Sequence, residues 1–555
     1  MILTGRVITM DPGRPEAEAV GVRDGRIEAV GSADEVAAAM GGGEHVELGD
    51  AAVLPAFIDA HHHFCLAAFD RRTPDLHLPP GSSIDDVLRL VEQAAGEGGD
   101  GWVRLQGYDP AKLAEHRAPT ADELDEVVPD RPLLLIAFSH HDGVLNHAGL
   151  RAMGWDDSSP DPPNGELVRR RGKLTGEVIE GPQFMAEAAS RDSLLESSED
   201  AWLEECEQHG RDLLAHGIAR VGDAAVPPAF ERLYERAAAE GRLPVTVHRM
   251  PVAAATVLEP RLDAQPTGTG DPAAPAGPAK LFMDGAERCA ICFSMTEMAG
   301  VLAGTIKRTV TGAGLAALRA SSRMKPARGA DGLMHTGVLF WDQDDLSRAV
   351  ATAAANGLQV AQHAIGNEAI DVALTALERS GAPLAELPGR PRLEHAMLLD
   401  ASLTRRIADA GAVAVVQPYF IYDTVGDFAA VTPPPGDLET MPLRGLLDAG
   451  VTLAGSSDYP VSHYDVLEAV EAAVTRMSRG GHACEPEEAI TVEEALRAYT
   501  TGSAIALGVE REAGSIEPGK RADLTVLSAD PRASRDGVTV DRTYVAGELV
   551  FERTG

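Results

Sequence analysis

Val53-Leu54-Pro55-Ala56-Phe57-Ile58-Asp59-Ala60-His61-His62-His63 runs an apolar strand straight into three histidines. Side chains two apart on a strand share a side. His61 and His63 therefore converge on one point, and His62 points away. Paired imidazoles at this spacing suit zinc and similar ions. A surface histidine cluster is the bland alternative. Against it, sites gather where barrel strands end at the C-terminal face, and this run has that form.

Three later runs end the same way. Val360-Ala361-Gln362-His363 ends in His363, Arg392-Leu393-Glu394-His395 in His395, and Thr452-Leu453-Ala454-Gly455-Ser456-Ser457-Asp458 in Asp458. A lone histidine of this kind is more often a satisfied core residue. Four strand ends with metal-competent groups in one chain are hard to reach by chance.

The stretches between them alternate strand-like and helix-like patterns. Leu133–Phe138 reads as a buried strand. Ala201–His216 reads as a helix ended by Gly217, and Leu346–Asn356 as another ended by Gly357. A β-then-α rhythm over more than 400 residues predicts βαβ units and a parallel sheet or barrel. Thr267–Pro278 is a Gly/Pro/Ala-rich loop. Residues 293–333 fit the rhythm poorly and include the basic, Gly-rich Arg323–Gly332, so the region reads as an insertion or mobile loop near the barrel mouth. Both chain ends are strand-like, with a hairpin signal at Asp24-Gly25. Together they predict one small β domain.

Composition sets outer limits. The 555 residues exceed a usual single core. Asp and Glu number 85 against 49 Lys and Arg, a net charge of −36. That balance repels nucleic acid and anionic membranes, and it argues against a large anionic substrate. No run of eighteen apolar residues spans a membrane, and Met1–Arg6 lacks a signal-peptide core, so a cytoplasmic location is expected. Five cysteines form no disulfide framework. The lone Cys289-x-x-Cys292 pair reads as reduced thiols.

Further motifs follow in order: Trp102–Tyr108, His141–Asn146 leading into Leu150, Asp161–Glu166, Gly176–Glu180, Lys280–Gly285, His363–Asn367, Leu393–Ala396, Gly455–Pro460 and Gly514–Leu524. With Phe57–His63 before them, they resemble the amidohydrolase superfamily over nearly the whole chain, in the branch of N-substituted formamide deformylases (amidohydrolase family 3). The resemblance implies an α/β fold: a distorted TIM (β/α)8 barrel over residues 56–505, inserted at about 286–333, with a small β-sandwich from residues 1–55 and 506–555.

It also implies one or two divalent metal ions, zinc foremost. The ligands would be His61, His63, His363, His395 and Asp458, with Lys280 as a carboxylated bridge, since a bare ammonium cannot ligate. Asp458 would carry the proton, and His141 would bind substrate or steady the oxyanion, with Asn146 and Trp102 as further substrate contacts. The implied substrate is a small amide or formamide, cleaved at a non-peptide C–N bond. Deamination and cyclic-amide opening are the alternatives on the same site. The oligomeric state is open, a homodimer included. A non-catalytic scaffold would have lost ligands, and none is lost here. Three positions depart from the pattern. Ala56 replaces a usual glycine, Asn367 replaces a usual aspartate that would support His363, and Ser139-His140-His141-Asp142 replaces a Gly-His context.

Overall fold

The computed structural model describes residues 1–97, 101–195, 197–253, 258–286, 288–308, 326–382, 389–431 and 434–554. Eight parallel strands carry the barrel-like core: Phe57–His62, Ile218–Val226, Thr246–Pro251, Ala279–Phe282, Val360–Ala364, Arg392–His395, Val413–Val416 and Thr452–Gly455. They are buried along nearly their whole length. That is the pattern of parallel strands covered by helices, and the reason they read as apolar runs.

The first three strands pair in parallel, as do the last five. No ladder among the described residues joins the two arcs, so the ring is TIM-barrel-like but not closed. Single bonds cross the gaps. Asp458 N donates to His61 O at 2.8 Å, and Gly277 N to Arg249 O at 2.6 Å. The expected helices are Glu199–Ala215 and Gln343–Ala355. Gly217 turns the chain at φ 76°, where a side chain is disfavoured.

The chain makes a long excursion between the first two barrel strands. Val103–Tyr108, Leu133–Ala137, Asp142–Leu145, Lys173–Glu180 and Gly165–Arg170 form, in that spatial order, a mixed sheet with its own apolar cores. Leu133–Ala137 is thus the expected strand, but it belongs to this sheet rather than to the barrel. An apolar run reports burial and cannot say which sheet receives it.

In the 286–333 insertion, Ile291–Phe293 and Ala327–Arg328 flank Met334–Thr336 in a small antiparallel sheet, beside the helix Met295–Arg308. Residues 309–325 lie outside the described residues, so only part of the expected mobile loop is described. Thr267–Pro278 folds into a short hairpin, Gly270–Asp271 with Ala274–Pro275.

Both termini meet in one seven-stranded sheet. Its order is Glu548–Glu552, Val540–Val545, Leu524–Leu527, His45–Pro55, Ile2–Ile8, Glu16–Arg23 and Arg26–Gly31. The expected hairpin turns at Asp24 and Gly25, φ 50° and 75°, the left-handed pair that suits strand twist. All five cysteines are free. Among the described residues, no helix is long and apolar enough to cross a membrane.

Candidate metal centre and active-site cavity

The strand ends converge. His61 Nε2 lies 3.2 Å and His63 Nε2 3.0 Å from Asp458 Oδ1. Lys280 Nζ is 3.3 Å from His61 Nε2. His395 Nε2 is 3.0 Å from His363 Nδ1, and the His61 and His395 rings are 5.1 Å apart. All six expected ligands line one cavity. His62 turns away, as the alternation requires, and meets His209 at 2.8 Å.

Two of these groups sit in unusual backbone, one at the end of its strand and one just past it. His395 has φ 75° and Asp458 φ 58°. This left-handed geometry costs a non-glycine residue about 1 kcal/mol or more.

Burial sets the charges. It lowers His63, pushes His395 down to about 3, and takes His363 well below the usual histidine range, which favours the neutral imidazole. Burial raises Asp458, but His61, His63 and His395 outweigh it and hold the carboxylate ionised. Burial lowers Lys280 to about 8.

A divalent ion fits this set. Neutral imidazoles and an anionic oxygen are the donors zinc-class ions take. His363 Nε2 is buried without a hydrogen-bond partner among the described residues, an arrangement that costs energy unless something else accepts its lone pair.

Supporting groups orient the ligands. Glu394 Oε2 is 2.5 Å from His61 Nδ1, and Arg392 grips Glu394 through Nε and Nη2 at 2.8 and 2.9 Å. Burial raises the Glu394 carboxyl, yet Arg392 and His61 hold it well below the usual range. His395 Nδ1 faces Gln417 Oε1 at 2.9 Å, and His63 Nδ1 faces Ala224 O at 2.9 Å. Such partners fix ring orientation and tautomer.

No carboxylate stands at position 367. Asp284 Oδ1 lies 3.8 Å from His363 Nε2, beyond hydrogen-bond distance, and accepts from Ile365 N. Asn367 instead clamps the insertion through Cys292 N at 3.0 Å and Cys292 O at 2.9 Å.

His141 lines the cavity, with Nδ1 2.7 Å from Glu180 and its ring 6.0 Å from that of His363. His140 and Glu187 line the cavity too. Arg104 bonds Asp70 at 3.1 Å and Glu187 at 3.3 Å there, so these carboxylates already have a cation.

Asn146 and Trp102 do not line this cavity. Trp102 packs on the core of Leu134, Ile136 and Leu145 in the excursion sheet. Asn146 caps the helix His147–Ala152, accepting from Gly149 N at 2.7 Å and Leu133 N at 3.0 Å and donating to Val128 O and Arg131 O. Its polar capacity is spent on backbone. Asn146→Ala is expected to cost about 1–3 kcal/mol of stability and leave KM unchanged. Thermal melts and steady-state kinetics check this.

A family model described as the amidohydrolase family matches residues 44–551. The chain belongs to this family. It is therefore a metal-dependent hydrolase of carbon–nitrogen bonds other than peptide bonds. An N-substituted formamide deformylase from Arthrobacter pascens is 33% identical over 574 residues, covering 100% of this chain and 98% of the relative. The protein LONG AFTER FAR-RED 3 of Arabidopsis thaliana is 26% identical, covering 99% and 91%. The crystal structure of a metal-dependent hydrolase from Pyrococcus horikoshii superposes with a TM-score of 0.69 at 22% identity, covering 97% and 99%, and supports the fold.

Proposed function

We propose that this amidohydrolase cleaves a small N-substituted amide of the formamide type into a carboxylic acid and an amine. The observation that carries the reading is the convergence of His61, His63, His363, His395, Lys280 and Asp458 on one cavity. The deformylase relative's name supplies the substrate class.

These donors would hold one or two zinc-class ions, which lower the pKa of water toward neutrality and polarise a carbonyl. Asp458, ionised beside His61 and His63, takes the proton of the attacking water and passes it to the leaving nitrogen. An amine leaves poorly without that proton. His141, oriented by Glu180, steadies the carbonyl oxygen as charge develops on it. Phe184 and Phe282 give the cavity an apolar wall for the substituent.

Lys280 is read as carboxylated. Burial lowers its pKa to about 8 and so raises the share of neutral amine, the form that adds carbon dioxide. The carbamate would turn a cation among metal ligands into an anionic oxygen donor. The two-ended terminal sheet is read as the small β-sandwich of this fold, and the chain as cytoplasmic.

The test is product and metal analysis together. Metal-replete protein given N-benzylformamide should release formate and benzylamine in equal amounts, and a chelator should abolish that release. Ammonia as the product of amide-type substrates would favour deamination instead. Undiminished turnover in metal-free protein would overturn the reading.

A further inference from the structure

The closing motif Gly514–Leu524 takes no part at the metal end. It lies against the starts of the first two barrel strands, where a second small cavity is lined by Arg220, Gly514, Ser515, Arg521 and Asp523. The space is small, with room for a single ion or water.

Its charges do not balance. Arg220 is 3% exposed. Its Nη2 reaches Asp523 Oδ2 at 3.3 Å, but its Nε–H has no acceptor among the described residues. Arg521 Nε lies 2.9 Å from Asp523 Oδ1 without forming a hydrogen bond. That same oxygen accepts from Ala546 N at 2.9 Å. One carboxylate thus serves two guanidinium groups and an amide.

Neighbouring groups do not supply the missing anion. On the barrel side, burial lowers His248 to about 3 and leaves it neutral, while Arg392 is paired with Glu394. Glu512 acts on Arg220 from the exposed surface, where solvent screens it. A buried cationic donor without an acceptor is costly.

We propose that this cavity binds one chloride-sized inorganic anion, which ties the C-terminal motif to the barrel. The anion accepts from Arg220 and Arg521 and offsets the excess positive charge. The site is remote from the metal ligands, so its role is to hold the terminal sheet against the barrel.

The test uses metal-replete full-length protein melted in sodium chloride and in sodium gluconate at equal ionic strength. Chloride should raise Tm by about 2 °C or more, saturably. Arg521→Gln should lose the chloride-specific rise, and Arg521→Lys should keep part of it. Crystals soaked in bromide should give an anomalous peak between Arg220 and Arg521. Equal melting in both salts would overturn the proposal, as would an undiminished chloride effect in Arg521→Gln. A bromide peak without a chloride-dependent Tm would mean an adventitious ion only, and would overturn it too.

Discussion

Asp458→Asn is expected to abolish turnover, by about 10³-fold or more, in protein that stays folded. Asparagine matches aspartate in shape and tolerates the left-handed φ of 58° at this position. The backbone bond from residue 458 to His61 O does not involve the side chain. What disappears is an ionised carboxylate 3.0 Å from His63 and 3.2 Å from His61. The amide can neither take up a proton nor supply an anionic donor. Steady-state kinetics beside a thermal melt separate the two effects. Wild-type kcat in this variant would exclude Asp458 as the proton carrier.

Glu394→Ala is expected to damage both stability and metal binding. Glu394 and Arg392 are fully buried and bonded side to side. Removing the carboxylate leaves the guanidinium, among the described residues, with the carbonyls of Ala60 and Ala506. Breaking a buried pair in this way costs about 3–5 kcal/mol. The same carboxylate faces His61 Nδ1 and fixes which nitrogen His61 presents to the cavity. Losing such a partner weakens metal affinity by about 10–100-fold. Glu394→Gln keeps the shape and should lose metal affinity with less unfolding. Denaturant titration and metal titration read the two losses. Wild-type values for both in Glu394→Ala would contradict the role given to this residue.

Residues whose convergence follows from local spacing were legible in the sequence. His61 and His63 stand two apart at a strand end, and His363, His395 and Asp458 each close an apolar run. Alternation correctly turned His62 away. The helices ended by Gly217 and Gly357 were equally local.

What the sequence hid depends on distant partners. Glu394 looks like the residue before a histidine. Only the fold places it against His61, 333 residues away. Asn146 carried a readable signal, since asparagine ahead of His147-Ala148-Gly149 is a helix N-cap pattern, and a family motif drew it toward substrate binding instead. The excursion sheet was absorbed into the barrel because apolar runs do not name their neighbours.

The most direct test of the central claim is anomalous diffraction at the zinc edge from crystals of metal-replete protein. The account predicts one or two peaks bounded by His61, His63, His363, His395 and Asp458, with extra density on Lys280 Nζ if two ions are present. An empty centre in fully loaded protein, or a peak confined to the Asp70, His140 and Glu187 cluster, would contradict it.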